Sequence, residues 1–96
     1  MAAGLYLLRG HRILGRRVHT PAAEVDLVAR RGRTLVVVEV KRRRRSSAET
    51  RWVEPEQVER LRAAARHLRR SAPWAVRVRI DLVRIDRWRP RITRLE

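Results

Sequence analysis

The segment that most limits the fold of this chain is a run of β-branched residues near its middle. Residues 34–41 read Thr-Leu-Val-Val-Val-Glu-Val-Lys, which predicts a central strand that is covered on both faces. The preceding Arg31-Gly32 is typical of a tight hairpin turn, because glycine accepts a positive φ. Residues 22–30 alternate with a period of two and predict the partner strand. Its two faces would carry Val25, Leu27 and Ala29 on one side, and Glu24, Asp26 and Val28 on the other.

The rest of the chain predicts two helices and three further strands around this hairpin. The helices are expected over 2–9, ending at Gly10, and from Pro55 onward, whereas 42–51 form a basic loop. The strands are expected over 12–18, 74–85 and 91–95, and 74–85 alternates like a strand with one buried face. The order α-β-β-β-α-β-β predicts an α/β fold in which helices flank a central mixed sheet.

Length and composition exclude several classes of protein. A chain of 96 residues predicts a single domain, 1–96. The absence of cysteine excludes disulfide frameworks, Cys-ligated zinc and thiol nucleophiles. No apolar run approaches the ~20 residues of a membrane span, and the N-terminal segment is too short and too weakly apolar for a signal peptide. We therefore expect a cytoplasmic protein that does not associate with membranes.

The charge balance points to a polyanionic partner. Lys and Arg number 25 against 10 Asp and Glu, which gives a net charge of +15. Such an excess favours nucleic acid as the partner, ahead of an anionic membrane. Lys41 is the only lysine in a chain that uses arginine at every other basic position. Since an ammonium is a compact, tunable charge and a guanidinium is not, this exception draws attention to Lys41.

The hairpin predicts where its acidic side chains lie. A two-residue turn at its centre pairs Arg30 with Arg33, and this register sets Glu24 opposite Glu39 with Asp26 on the diagonal. A three-residue loop would instead move the two sets of carboxylates to opposite faces. With the two-residue turn, three carboxylates share one face of the sheet. Because facing like charges destabilise paired strands, such a cluster calls for a compensating cation.

A divalent metal ion is the natural candidate for that cation. Mg²⁺ takes oxygen ligands and is commonly held by one or two carboxylates together with water and substrate phosphate. Asp26 and Glu39 would be direct ligands, and the carbonyl of Val40 could complete the set. Lys41, on the same face, would orient a water for attack on a phosphodiester or help with its proton. The alternative is a solvated surface ion pair, which a Glu-x-Lys on a strand commonly is.

The residues around this site also resemble a known family. Glu24-Val25-Asp26-Leu27-Val28 and Val38-Glu39-Val40-Lys41 resemble motifs of the YraN-like family of small bacterial proteins. Arg79-Ile80-Asp81 resembles that family's Arg-Phe-Asp, in the strand after the long helix. The family in turn resembles the restriction-endonuclease-like, PD-(D/E)xK superfamily and its archaeal Holliday-junction resolvases.

The resemblance implies a fold, a reaction and a set of residues. It implies a restriction-endonuclease-like fold and an endonuclease that uses Mg²⁺ or Mn²⁺ to hydrolyse structured or branched DNA, as a homodimer where it makes paired cuts. Asp26, Glu39 and Lys41 would form the catalytic triad, with Glu24 as the neighbouring acid. Gln57 stands at the helix position where the family usually has lysine.

The nucleic-acid contacts are expected next to this site. Arg42, Arg43, Arg44 and Arg45 follow the Glu-x-Lys directly and would bind flanking phosphates, with Gln57 and Arg79 extending the surface. The alternative for the arginine run is a solvated basic loop. Two other functions stay open: a nucleic-acid-binding module without catalysis, and a basic factor that binds RNA or protein.

Overall fold

The elements follow one another in the order that the sequence predicts. The computed structural model describes residues 2–43, 54–86 and 89–96, with the side chain of Arg43 outside the description. β3 runs two residues beyond the predicted strand, and β4 begins three residues later than predicted. The bounds are α1 Ala2–Leu8, β1 Arg12–His19, β2 Glu24–Arg31, β3 Thr34–Arg43, α2 Pro55–Arg69, β4 Arg77–Asp86 and β5 Arg89–Arg94.

The five strands form one mixed sheet in sequence order, β1-β2-β3-β4-β5. β1, β2 and β3 are joined by antiparallel pairings, β3 and β4 run parallel, and β4 pairs antiparallel with β5. A parallel pair needs a long crossover, and α2 lies in the connection from β3 to β4. The central position predicted for the β-branched strand β3 and the mixed α/β class are confirmed.

The helices pack on opposite faces of the sheet. On the α2 face, Leu61, Ala64 and Ala65 join a cluster of strand side chains that includes Val37 and Ile80. On the α1 face, Ala3 and Tyr6 pack with a second cluster: Leu27, Ala29, Val36, Val38, Val83 and Ile85. No helix in the described segments is long and apolar enough to cross a membrane.

Strand β4 is covered on both faces, which corrects the prediction of a strand with one buried face. Ile80, Asp81, Leu82 and Val83 are all buried. The physical reason is that the two helices cover opposite faces of the strand: Ile80 packs with α2, and Val83 packs with Tyr6 of α1. Exposed Arg77 and half-buried Arg79 alternate with apolar residues only at the beginning of the strand.

The hairpin register differs from the predicted one by two residues. Arg31 pairs with Thr34, so the two-residue loop is Gly32-Arg33 and not Arg31-Gly32. Gly32 has φ +60°, the conformation that a tight turn needs at its first loop position, and this moves the centre of the turn one residue along the chain. A shift of two residues keeps the side chains of the paired segments 27–31 and 34–38 on their predicted faces.

Candidate functional site

The site begins where β2 and β3 part. Their ladder ends at Leu27 paired with Val38, and one residue further on the Oδ2 of Asp26 accepts the backbone N–H of Val40 at 2.7 Å. Val25 packs with the α2-face cluster although Leu27 packs on the α1 face. This corrects the predicted alternation of β2, because the strand is irregular at Asp26. The irregularity lets a carboxylate take the place of a ladder hydrogen bond.

Glu39 projects from the neighbouring strand toward α2. Its chain neighbours Val38 and Val40 pack on the α1 face, so Glu39 faces the other way. The Nε2 of Gln57, in the first turns of α2, donates to its Oε2 at 2.5 Å, and the Nζ of Lys41 lies 3.6 Å from the same oxygen. The side chain of Glu39 is only 14% exposed and that of Lys41 is 29% exposed.

The electrostatics of the pair make Glu39 hard to ionise. Burial is the main cause, the hydrogen bond and charge of Asp26 add to it, and together they raise the pKa of Glu39 to about 7. Lys41 and Gln57 act in the opposite direction but do not cancel the rise. The two carboxylates therefore form a partly buried site in which additional positive charge would be stabilising.

Glu24 does not join this pair. It lies opposite His19 across the β1–β2 ladder, with its Oε2 3.4 Å from the His19 Nδ1. Its side chain is 44% exposed, and it shares with Glu39 the lining of a cavity of about 280 Å³. The expected cluster of three carboxylates is thus reduced to two, because the register sets Asp26, not Glu24, nearest to Glu39. Within the described segments, no group of three or more Asp, Glu, His or Cys side chains could hold a metal ion.

A basic cavity of about 690 Å³ opens beside Asp26. Arg16, Arg17 and Arg42 line it together with Asp26 and Val40. Arg17 lies between the pairs Arg16–Leu27 and Val18–Val25, which places it across from Asp26. Its φ of +48° is uncommon for a residue other than glycine, and such strained backbone is concentrated at functional sites.

Arg16 and Arg17 are the residues that the sequence pattern does not reveal. They stand in a strand with an irregular register between Ile13 and Gly15, so their position relative to β2 does not follow from simple alternation. The only signal for them is the Gly-Arg-Arg sequence at 15–17.

The other predicted nucleic-acid residues have different outcomes. Arg42 lines the basic cavity, and Gln57 donates a hydrogen bond to Glu39. Arg43 is described only by its backbone, at the end of β3, and Arg44 and Arg45 lie outside the described residues. Arg79 is not brought to this site: its Nε donates to Asp81 on the α1 face of the sheet.

The donor set fits a hard divalent cation. Two carboxylates suffice for Mg²⁺, which completes its shell with water and phosphate oxygens. Burial, and after it the neighbouring Asp26, raise the pKa of Glu39, and a bound cation would act against both causes. Asp26 and Glu39 would hold the ion, with the carbonyl of Val40 as the third protein oxygen.

Fold and site together define a small mixed α/β protein in which two acids and a lysine meet beside an arginine-lined cavity. The family model described as "Uncharacterised protein family UPF0102" matches residues 1–85. The chain belongs to this family, the YraN-like family that its motifs resemble.

Three relatives from this family align with nearly the whole chain. A UPF0102 protein of Parvibaculum lavamentivorans is 42% identical over 102 residues, covering 94% of this chain and 77% of the relative. A UPF0102 protein of Caulobacter vibrioides is 46% identical over 91 residues, covering 92% and 73%. One from Rhizorhabdus wittichii is 42% identical over 90 residues, covering 93% and 76%.

Proposed function

We propose that this protein is a Mg²⁺- or Mn²⁺-dependent endonuclease with a restriction-endonuclease-like fold. The observation that carries the proposal is the convergence of Asp26, Glu39 and Lys41, drawn from two strands, beside a cavity lined by arginines. An isolated surface ion pair does not account for a Glu39 that is 14% exposed and close to a second carboxylate.

The chain's own residues have distinct tasks in this proposal. Asp26 and Glu39 bind the cation, and their positions are fixed beforehand by the Val40 N–H and the Gln57 amide. When bound, the cation would supply the positive charge that stabilises the negative charge developing on a phosphodiester during its hydrolysis. Lys41, next to Glu39, orients the attacking water and assists with its proton.

The basic cavity supports a nucleic acid as the substrate. Arg16, Arg17 and Arg42 can contact phosphates on the Asp26 side of the site, where they bind the backbone without reading sequence. The net charge of +15 favours the approach of such a polyanion. By resemblance to Holliday-junction resolvases, we propose structured or branched DNA as the substrate, a homodimer as the acting species and the cytoplasm as its location.

Calorimetric titration with MgCl₂ and MnCl₂ tests the metal site. The wild type should bind the cation, and both Asp26→Asn and Glu39→Gln should lose that binding while their far-UV circular dichroism stays unchanged. Glu56→Gln, an exposed acid in the first turn of α2, is the matched control and should bind as the wild type does. If the wild type and the three variants bind the cation equally, Asp26 and Glu39 do not form a metal site.

Cleavage of a labelled four-way junction, in MgCl₂ and in EDTA, tests the reaction. Lys41→Met should cut at least about 100-fold more slowly than the wild type, within the range of a general acid–base contribution, with junction affinity nearly unchanged. Junction binding without cleavage by the wild type, in either metal, would replace the nuclease by a nucleic-acid-binding module. No binding at low salt would leave a factor that binds other partners.

A further inference from the structure

A third cavity lies on the α1 face of the sheet, and neither Asp26 nor Glu39 lines it. Its volume is about 610 Å³, and its lining comes from α1 and the turn after it, the end of β2, and strands β4 and β5. It shares no lining residue with the basic cavity beside Asp26 or with the cavity beside Glu39 and Gln57, so it is separate from the acid pair. Its volume lies within the range of pockets that hold nucleotide-sized ligands.

The floor of this cavity is a buried polar network. Asp81 is 1% exposed, its Oδ2 accepts the Tyr6 hydroxyl at 2.7 Å, and the Nε of Arg79 donates to its Oδ1 at 3.1 Å. The Nη2 of Arg79 also donates to the Nε2 of His11 at 2.9 Å, and the Nδ1–H of His11 donates to the Tyr6 carbonyl at 3.2 Å. The negative charge of Asp81 is therefore already balanced within the floor.

The walls carry positive charge that is not balanced. Arg9, Arg31, Arg91 and Arg94 line the cavity, and across the described ranges none of these four is ion-paired to a carboxylate. His11, next to them, is held neutral: burial and then the charge of Arg79 lower its pKa. Guanidinium groups gathered around a concave surface repel one another, and an anion bound between them would relieve that repulsion.

We propose that this cavity binds the phosphate monoester of a nucleotide. A monoester carries a charge of about −1.5 to −2 at neutral pH, which suits several converging guanidiniums better than the single charge of a diester. Arginine forks match phosphate oxygens in pairs, and Pro90 and Ile92 provide apolar lining for the sugar or base. A free mononucleotide and the terminal nucleotide of a nucleic-acid strand share this chemistry.

The proposal does not rest on the endonuclease function. The cavity shares no lining residue with the acid pair or with the basic cavity beside Asp26, and it needs no divalent cation, so binding can be measured in EDTA, where the acid pair holds no metal. A failure of the nuclease proposal would leave this one untouched, and the reverse also holds.

Isothermal titration calorimetry in EDTA at low salt provides the test. The probes are dTMP and a tetrathymidylate with either a 5′-phosphate or a 5′-hydroxyl. The 5′-phosphorylated strand should bind about tenfold more tightly than the hydroxyl form, the scale of one charge-assisted contact. Arg31→Ala/Arg94→Ala, which removes two exposed wall residues, should abolish that difference.

Arg66→Ala/Arg70→Ala is the matched control, because both residues are exposed near the end of α2 and the net charge changes equally. It should retain the preference for the phosphorylated strand. Equal losses in the two double variants, or no preference in the wild type, would overturn the proposal. Where the preference depends on Arg31 and Arg94, dTMP binding as tightly as the phosphorylated strand identifies a free nucleotide as the ligand, and weaker dTMP binding identifies a strand end.

Discussion

The metal-free protein should become more stable when Glu39 is replaced by glutamine. Glu39 is held beside Asp26 with little access to water, and its pKa is raised from 4.5 to about 7. A group whose pKa is raised on folding favours the folded state only while it is protonated. A glutamine at this position would keep the shape and could still accept the hydrogen bond from Gln57, but it would never carry the negative charge.

The size of the effect follows from the pKa shift. Each pK unit corresponds to ~1.4 kcal/mol, so full ionisation of Glu39 would cost at most about 3.5 kcal/mol. Since Asp26 and Glu39 share part of this cost, we expect Glu39→Gln to stabilise by about 1–2 kcal/mol at pH 8. The difference should shrink as the pH falls through 7 and should vanish below 4.5, where Glu39 is protonated in both the folded and the unfolded state.

Urea denaturation in EDTA, followed by circular dichroism between pH 4.5 and pH 8, measures this difference. Glu56→Gln provides the control, since this exposed acid near the start of α2 should stabilise its helix slightly. Its replacement should therefore lower stability by a few tenths of a kcal/mol at pH 8. A Glu39→Gln protein that is no more stable than the wild type at pH 8, or equally stabilised at both pH values, would refute the account of the buried pair.

Three further changes test other parts of the structure by the same denaturation measurement. Tyr6→Phe should destabilise by about 1–3 kcal/mol, because buried Asp81 loses a donor; a change below 0.5 kcal/mol would contradict that hydrogen bond. Asp26→Ala should be less stable than Asp26→Asn by about 1 kcal/mol, because only asparagine can still accept the Val40 N–H; equal stability would contradict it. Gly32→Ala should cost roughly 1 kcal/mol through its φ of +60°, and Gly32→Asn less; the reverse order would exclude that cause.

The sequence predicts the fold best where local chemistry decides it. The β-branched run leads directly to central strand β3, and Pro55 and Gly10 mark the beginning of α2 and the stop after α1. It fails for β4, where the alternation of residues 74–85 predicts a single buried face. Asp81 is buried because Tyr6, 75 residues away, donates to it. A pairing across that distance leaves no periodic signal in the chain.

The sequence likewise predicts some features of the candidate site and misses others. A turn of two residues, like any even-numbered turn, brings Asp26 and Glu39 together. A register error of two residues therefore does not separate them. Which second acid lies nearest to Glu39 depends on the register itself, so Glu24 was wrongly placed in the cluster. The contribution of Arg17 depends on a positive φ and an irregular β1–β2 ladder, neither of which alternation can indicate.

The acid pair links the proposed function to the stability of the fold. Val40 and Gln57 hold the two carboxylates in place through the backbone of β3 and a side chain of α2, so the acids stay close even though they repel each other. Relief of that repulsion would then contribute to the affinity for a cation, and cation binding would raise the free energy of unfolding. The change that stabilises the metal-free protein, Glu39→Gln, should for the same reason abolish stabilisation by Mg²⁺ or Mn²⁺. If Glu39 is a functional carboxylate, its replacement should stabilise the metal-free protein and also abolish the stabilisation by the cation. If Glu39 were only structural, its replacement would leave the effect of the cation on stability unchanged.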